Sequence, residues 1–223
     1  MTLLQKLKTS TLNNKIFSLN GVWFKDIIHY PNIEIPQGGV TFICGESGCG
    51  KSTLLKLLNN TVSPAFGEIL YAGKRIKDYD PVTLRREVLL CGQTTFLFGS
   101  TVLENFIEFY KYRDLSPISQ DEINKYLKIC AANFPLDASC VTMSGGERHR
   151  VFTSICLSLH PKVLLLDEPT SALDNTTSNT VMSNIKTFCN ENNITLIVVS
   201  HNTALAQTYA DSVIMLAGGI KRE

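Results

Sequence analysis

At 223 residues, 44% apolar and 18% charged, the chain suits one well-filled domain and is too apolar to be disordered. A formal net charge of +1 excludes the strongly basic balance of a general nucleic-acid binder, so no nucleic-acid partner is expected. Seven scattered cysteines without a CxxC pair read as buried thiols of a reducing compartment, not as a disulfide framework or a metal site.

The opening MTLLQKLKTSTLNNK lacks an apolar core and a small-residue cleavage site, so no secretory signal is expected there. Two short apolar runs follow, 16–24 and 33–35, joined by turn residues with no helical segment between. They predict an antiparallel sheet at the start of the chain.

The run VTFIC at 40–44 leads directly into GESGCGKST at 45–53, which fits the phosphate loop G-x-x-x-x-G-K-[ST] between a strand and a helix. Gly45, Glu46, Ser47, Gly48, Cys49, Gly50, Lys51, Ser52 and Thr53 are therefore candidate phosphate-binding residues. The glycines let backbone N–H groups converge on phosphate oxygens at a helix N-terminus. Lys51 would reach the β- and γ-phosphates of the nucleotide, and the Ser52 hydroxyl would be a magnesium ligand.

Further apolar runs at 69–71 and 88–91 read as strands, whereas about 95–160 lacks strand runs and reads as helical. Ser119 followed by Glu122 is a capping-box pattern that opens a helix with Ile123, Leu127 and Cys130 on one side. At 142–150, TMSGGERHR is a second anion-friendly loop: Ser144 is a good N-cap for a helix beginning near Gly145.

Past the helical middle, VLLLDE at 163–168 is an apolar run ending in two carboxylates. Asp167 falls at a strand tip, where it can support magnesium directly or through water. Glu168 is read as facing the other way along the pleat and serving as general base. In 175–192, Val181, Ile185, Phe188 and Cys189 form one helical stripe. His201 closes the strand run 195–200, where a neutral imidazole could reach a γ-phosphate and orient Glu168. A last run at 213–216 completes a strand–helix alternation that indicates a mostly parallel sheet covered by helices.

The ordered set GESGCGKST, Gln93, MSGGE, LLLDEP, SALD and His201 resembles the ATP-binding cassette (ABC) ATPases along essentially the whole chain. The resemblance implies an α/β P-loop NTPase with a mostly parallel core sheet, an N-terminal antiparallel sheet and an inserted α-helical subdomain. The nucleotide-binding core would take about 1–92 and 162–223, and the helical subdomain about 93–161, all one domain over 1–223. It also implies ATP and Mg2+ as cofactors and a head-to-tail pair of chains as the working unit. Ser144, Gly145, Gly146 and Glu147 would then contact ATP held by the partner copy's phosphate loop. Gln93 would sense magnesium, completing the ligand set with Ser52 and Asp167, and link the site to an integral membrane permease. Asp174 would couple the two sites.

The chain departs from the family pattern in several places. Met143 and Glu147 stand where leucine and glutamine are usual, and the run from Ser154 to Leu157 lacks an arginine. Asp26 occupies the usual adenine-stacking position, which leaves Trp23 and Phe24, with Tyr30 as a further aromatic, as stacking candidates.

Ending soon after 216 and carrying no run near the ~20 apolar residues of a membrane span, the chain is read as a stand-alone subunit without a regulatory extension. Its place would be the cytoplasmic face of the membrane, held there by the permease. The segment from Cys91 to Phe106 with the aromatics Phe109, Tyr110 and Tyr112 could line a groove for a permease helix. In detail the chain is most similar to small bacterial iron-export ATPases of the Fet type. A soluble or non-transport ABC ATPase, such as an iron–sulfur assembly or cell-division cassette, fits the same length.

Overall fold

The computed structural model describes residues 14–217; most of the N-terminal stretch read above for a signal lies outside them. Two sheets share one core. The first is antiparallel and comes early in the chain, as expected. Its strands are β1 (Lys15–Phe24), β2 (Ile28–His29), β3 (Ile33–Pro36), β5 (Phe66–Tyr71) and β6 (Lys74–Arg75), with β1 pairing β2, β3 and β5. The second is parallel, in the order β10 (Ser212–Leu216), β4 (Val40–Gly45), β9 (Thr195–Val199), β8 (Val163–Asp167), β7 (Val88–Cys91). This is the α/β architecture that the strand–helix alternation predicts.

Both central strands β8 and β9 are buried along their whole length, which is why they read as unbroken apolar runs. The pleat then sorts their side chains. Leu164, Leu166, Leu196 and Val198 join a core with α5 (Gly145–Ser158) and α6 (Asn175–Glu191). Val163, Leu165, Ile197 and Val199 face α1 (Lys51–Leu58) and the antiparallel sheet. The apolar stripe of α6 is buried through Val181, Met182, Ile185 and Cys189.

Between β7 and β8 the chain is helical: α3 (Val102–Tyr112), α4 (Gln120–Ile129) and α5. The predicted capping box of α4 is formed, with Ser119 and Glu122 satisfying each other's backbone N–H, and Ile123, Leu127 and Cys130 are buried. Two shorter helices, α2 (Pro81–Glu87) and α7 (Thr203–Tyr209), complete the set. All seven cysteines are buried and unpaired. Among the described residues no helix is long and apolar enough to cross a membrane.

Candidate active site

The phosphate loop leaves the end of β4, a central strand, and enters α1. Gly45, Gly48 and Gly50 all adopt positive φ, a region open to glycine at little cost. Gly50 caps α1 without any side-chain hydrogen bond, and the first turn carries no acidic residue. The positive end of the helix is therefore available to an outside anion. Lys51 is buried to 7% exposure, and its Nζ donates to the carbonyls of Gly45 (2.8 Å) and Glu46 (2.7 Å), curling over the loop. Cys49 is buried, its Sγ 4.0 Å from that ammonium. Ser52 Oγ donates to Asp167 Oδ1 at 3.1 Å, which joins the loop to the tip of β8.

Glu168 requires a correction to the pleat reading. The strand ends at Asp167, and Glu168 turns out of it with φ 56°, its N–H donating to Val199 O on β9 at 2.9 Å. A non-glycine residue in this region is uncommon, and such strain gathers at functional sites. The bend, not alternation along the strand, aims the carboxylate.

Glu168 is 5% exposed, and its Oε1 lies 2.8 Å from His201 Nδ1, off the line of a hydrogen bond, so that oxygen has no hydrogen-bond partner. Burial pushes the carboxyl above its ordinary range, and the neighbouring His201 offsets part of that rise. A buried carboxylate of raised proton affinity is what a general base for water needs.

One cavity of about 280 Å³ collects most of the loop (Ser47, Gly48, Gly50, Lys51, Ser52 and Thr53) together with Ile28, Gln93, Glu168 and His201. The donor set fits a nucleotide triphosphate with its magnesium ion. Hydroxyl and carboxylate oxygens are the hard ligands magnesium takes, and the ammonium and helix end suit phosphate.

The second loop lies elsewhere. Ser144 and Glu147 form a full capping box at α5: Glu147 Oε2 accepts from Ser144 N (2.8 Å) and Ser144 Oγ (2.7 Å). Gly146 packs so close to the loop after β8 that a Cβ there would sit 3.0 Å from that of Ala172. Gly145 and Gly146 line a neighbouring cavity of about 690 Å³ with His149, which shares Gln93 and Glu168 with the first. Ser144, Glu147 and Asp174 do not line the phosphate cavity. Asp174 instead caps α6, accepting from Thr177 N and Oγ1 (3.0 and 2.6 Å).

Of the stacking candidates, Trp23 packs against His29 with ring centroids 4.6 Å apart, and Lys25 lies 5.4 Å over Phe24. Neither aromatic lines the phosphate cavity, but Ile28 does. Tyr30 is no stacking platform: it is 1% exposed and its hydroxyl is spent on Gly50. Sequence reasoning also passed over His149, whose Nε2 lies 3.9 Å from Cys91 Sγ at the end of β7. No spacing rule flags such a pair.

Beyond Gln93 runs a ladder of rings. Phe98 stands 5.2 Å from Phe96 and stacks on Tyr112 at 5.8 Å with planes 7° apart, and Phe109 meets Phe152 at 5.8 Å. Phe96 (63%) and Tyr112 (68%) are exposed, forming an apolar surface beside the site.

Residues 28–171 match the ABC transporter family. The chain is 35% identical to the probable iron export ATP-binding protein FetA of Escherichia coli (strain K12), over 85% of this chain and 84% of that one. It is 34% identical to the L-cystine import ATP-binding protein TcyC of Bacillus subtilis (strain 168), over 93% and 85%. Among solved structures it resembles a bacterial Atm1-family ABC exporter with ATP bound. The TM-score is 0.82 at 27% identity, covering 96% of this chain and 39% of the exporter.

Proposed function

The chain belongs to the ABC transporter family of ATPases, and from that premise we propose that it drives a separate membrane permease by pairing with a second copy on ATP, with metal export as its task. The observation that carries the ATPase part is the single cavity holding the phosphate loop, Gln93, Glu168 and His201.

Within it, Lys51 and the loop N–H groups bind and orient the phosphates, and Glu168 takes a proton from the attacking water while His201 holds that carboxylate in place. Magnesium held by Ser52, Asp167 and Gln93 would neutralise charge across the β- and γ-phosphates. The Ser144–Glu147 loop would complete the site of the partner copy, because it lies outside its own chain's phosphate cavity. Closing two copies on ATP would exclude water and move the permease; hydrolysis would release it.

The exposed rings of Phe96 and Tyr112 support docking of a permease helix beside Gln93. That docking would hold the chain at the cytoplasmic face of the membrane. Metal export follows the likeness to the iron export protein; import proteins of similar identity make it the part most open to test. Metal efflux from cells carrying the chain with its copurifying permease, compared with cells lacking the chain, decides it. Faster efflux of iron supports export, whereas unchanged metal content with a different permeant removes it. Copurification with a soluble scaffold and no membrane protein would favour a non-transport cassette.

A further inference from the structure

Beneath the phosphate loop lies a hydroxyl that touches neither the phosphate cavity nor the carboxylates. Tyr30 follows β2, and its backbone N–H donates to Val22 O of β1 at 2.9 Å, fixing the ring to the antiparallel sheet. The ring is buried to 1% exposure, and Oη donates to the carbonyl of Gly50 at 2.8 Å. Burial pushes the ionisation of this phenol well up, so it stays a neutral donor.

Gly50 holds φ 97° at the point where the loop turns into α1. A Cβ there would fall 2.8 Å from Tyr30 Oη and 3.0 Å from Ile28 Cγ2. Glycine, Tyr30 and Ile28 are thus fitted to one another. The phenol holds the loop at Gly50, immediately before Lys51 and Ser52. The same stretch pairs with the strand that carries the stacking candidates, through Trp23 with His29 and Phe24 with Ile28.

We propose that Tyr30 is a positioning residue for the nucleotide, holding the Gly50 carbonyl so that the loop is already shaped for phosphate before the nucleotide arrives. The inference rests on the phosphate-loop reading above and adds a contact from the other sheet. The physical reason is preorganisation: a loop already in its bound shape loses less freedom on binding. The ring's packing and its hydroxyl are separable, because phenylalanine keeps the first and deletes the second.

The test compares the full chain with Tyr30→Phe and Lys51→Ala by calorimetric titration with ATP, ADP and AMP, by steady-state hydrolysis, and by hydrogen exchange of amides 48–53. Tyr30→Phe is expected to weaken ATP and ADP about three- to tenfold, the effect of one internal hydrogen bond, and AMP much less. KM should rise more than kcat falls, because binding and not chemistry is altered, and the loop amides should exchange faster. A merely structural role would lower the melting temperature without this dependence on phosphate number.

If Tyr30→Phe binds ATP as the parent does while Lys51→Ala loses it, the positioning role is wrong and the phosphate loop stands. If Lys51→Ala also binds normally, the phosphate-loop reading falls and the Tyr30 proposal falls with it. If exchange at 48–53 is unchanged in Tyr30→Phe, the proposal is overturned whatever the affinity.

Discussion

The helices α1 and α5 both begin beside glycines, and their N-termini are finished differently. α1 begins at Gly50 with no side-chain cap and no acidic residue in its first turn. α5 begins at Ser144 with a closed capping box, its own Glu147 bonded to both the amide and the hydroxyl of Ser144. The first end is left open, beside an ammonium, and gains most from an outside anion. The second already holds a carboxylate and gains less. On the proposed reading this asymmetry orders events: a single chain loads ATP on α1 first, and α5 engages phosphate only when a partner copy brings it.

The strongest way to break that comparison is Ser144→Arg. The bulky side chain should abolish hydrolysis, read as phosphate release, while ATP titration of the isolated chain stays unchanged. Normal turnover in this variant would mean that α5 has no part in the site and that each chain works alone. Next in size is Glu168→Gln, expected to reduce turnover by ~10²–10⁴-fold, the usual loss for a general base. ATP binding should persist, and sizing chromatography with ATP should show an accumulated pair. A variant that hydrolyses at the parent rate would remove Glu168 as the base, leaving the two loops without a shared reaction.

How much of this could be read in the sequence depended on distance along the chain. The phosphate loop occupies nine consecutive residues between a strand and a helix, so local pattern was enough. β8 and β9 were equally plain, because burial on both faces leaves an unbroken apolar run. By contrast, β2 and β6 have two residues each, too few to carry a period, and only their partners on β1 and β5 define them. Because the strand ends at Asp167, alternation along it does not give the direction of Glu168. Its turn depends instead on a hydrogen bond to Val199, which sequence spacing does not reveal. Tyr30 reads from sequence as a stacking candidate for the same reason: its use is set by Gly50, twenty positions away.

The finest test separates the capping role of Glu147 from its charge. Among the described residues three capping boxes of one form occur, at Thr101 and Glu104, Ser119 and Glu122, and Ser144 and Glu147. In each, hydrogen bonds from the N-cap residue hold the carboxyl below its ordinary range. With the folded value depressed, each box contributes stability above the unfolded pKa, and that contribution is lost as pH falls through the folded one. Replacing each glutamate by glutamine should therefore cost a similar, small fall in melting temperature at neutral pH and flatten its acid dependence. Only Glu147→Gln should also change pairing. Removing a negative charge from the helix end that receives the partner's phosphate should lower the ATP concentration needed for pairing about two- to fivefold, the size of a charge effect at a helix terminus. Measured in the Glu168→Gln background, where the pair persists, an equal response from Glu104→Gln or Glu122→Gln would show that the carboxylate at α5 is only a cap. An exclusive response at Glu147 would make it the chain's own competitor for the anion its partner delivers.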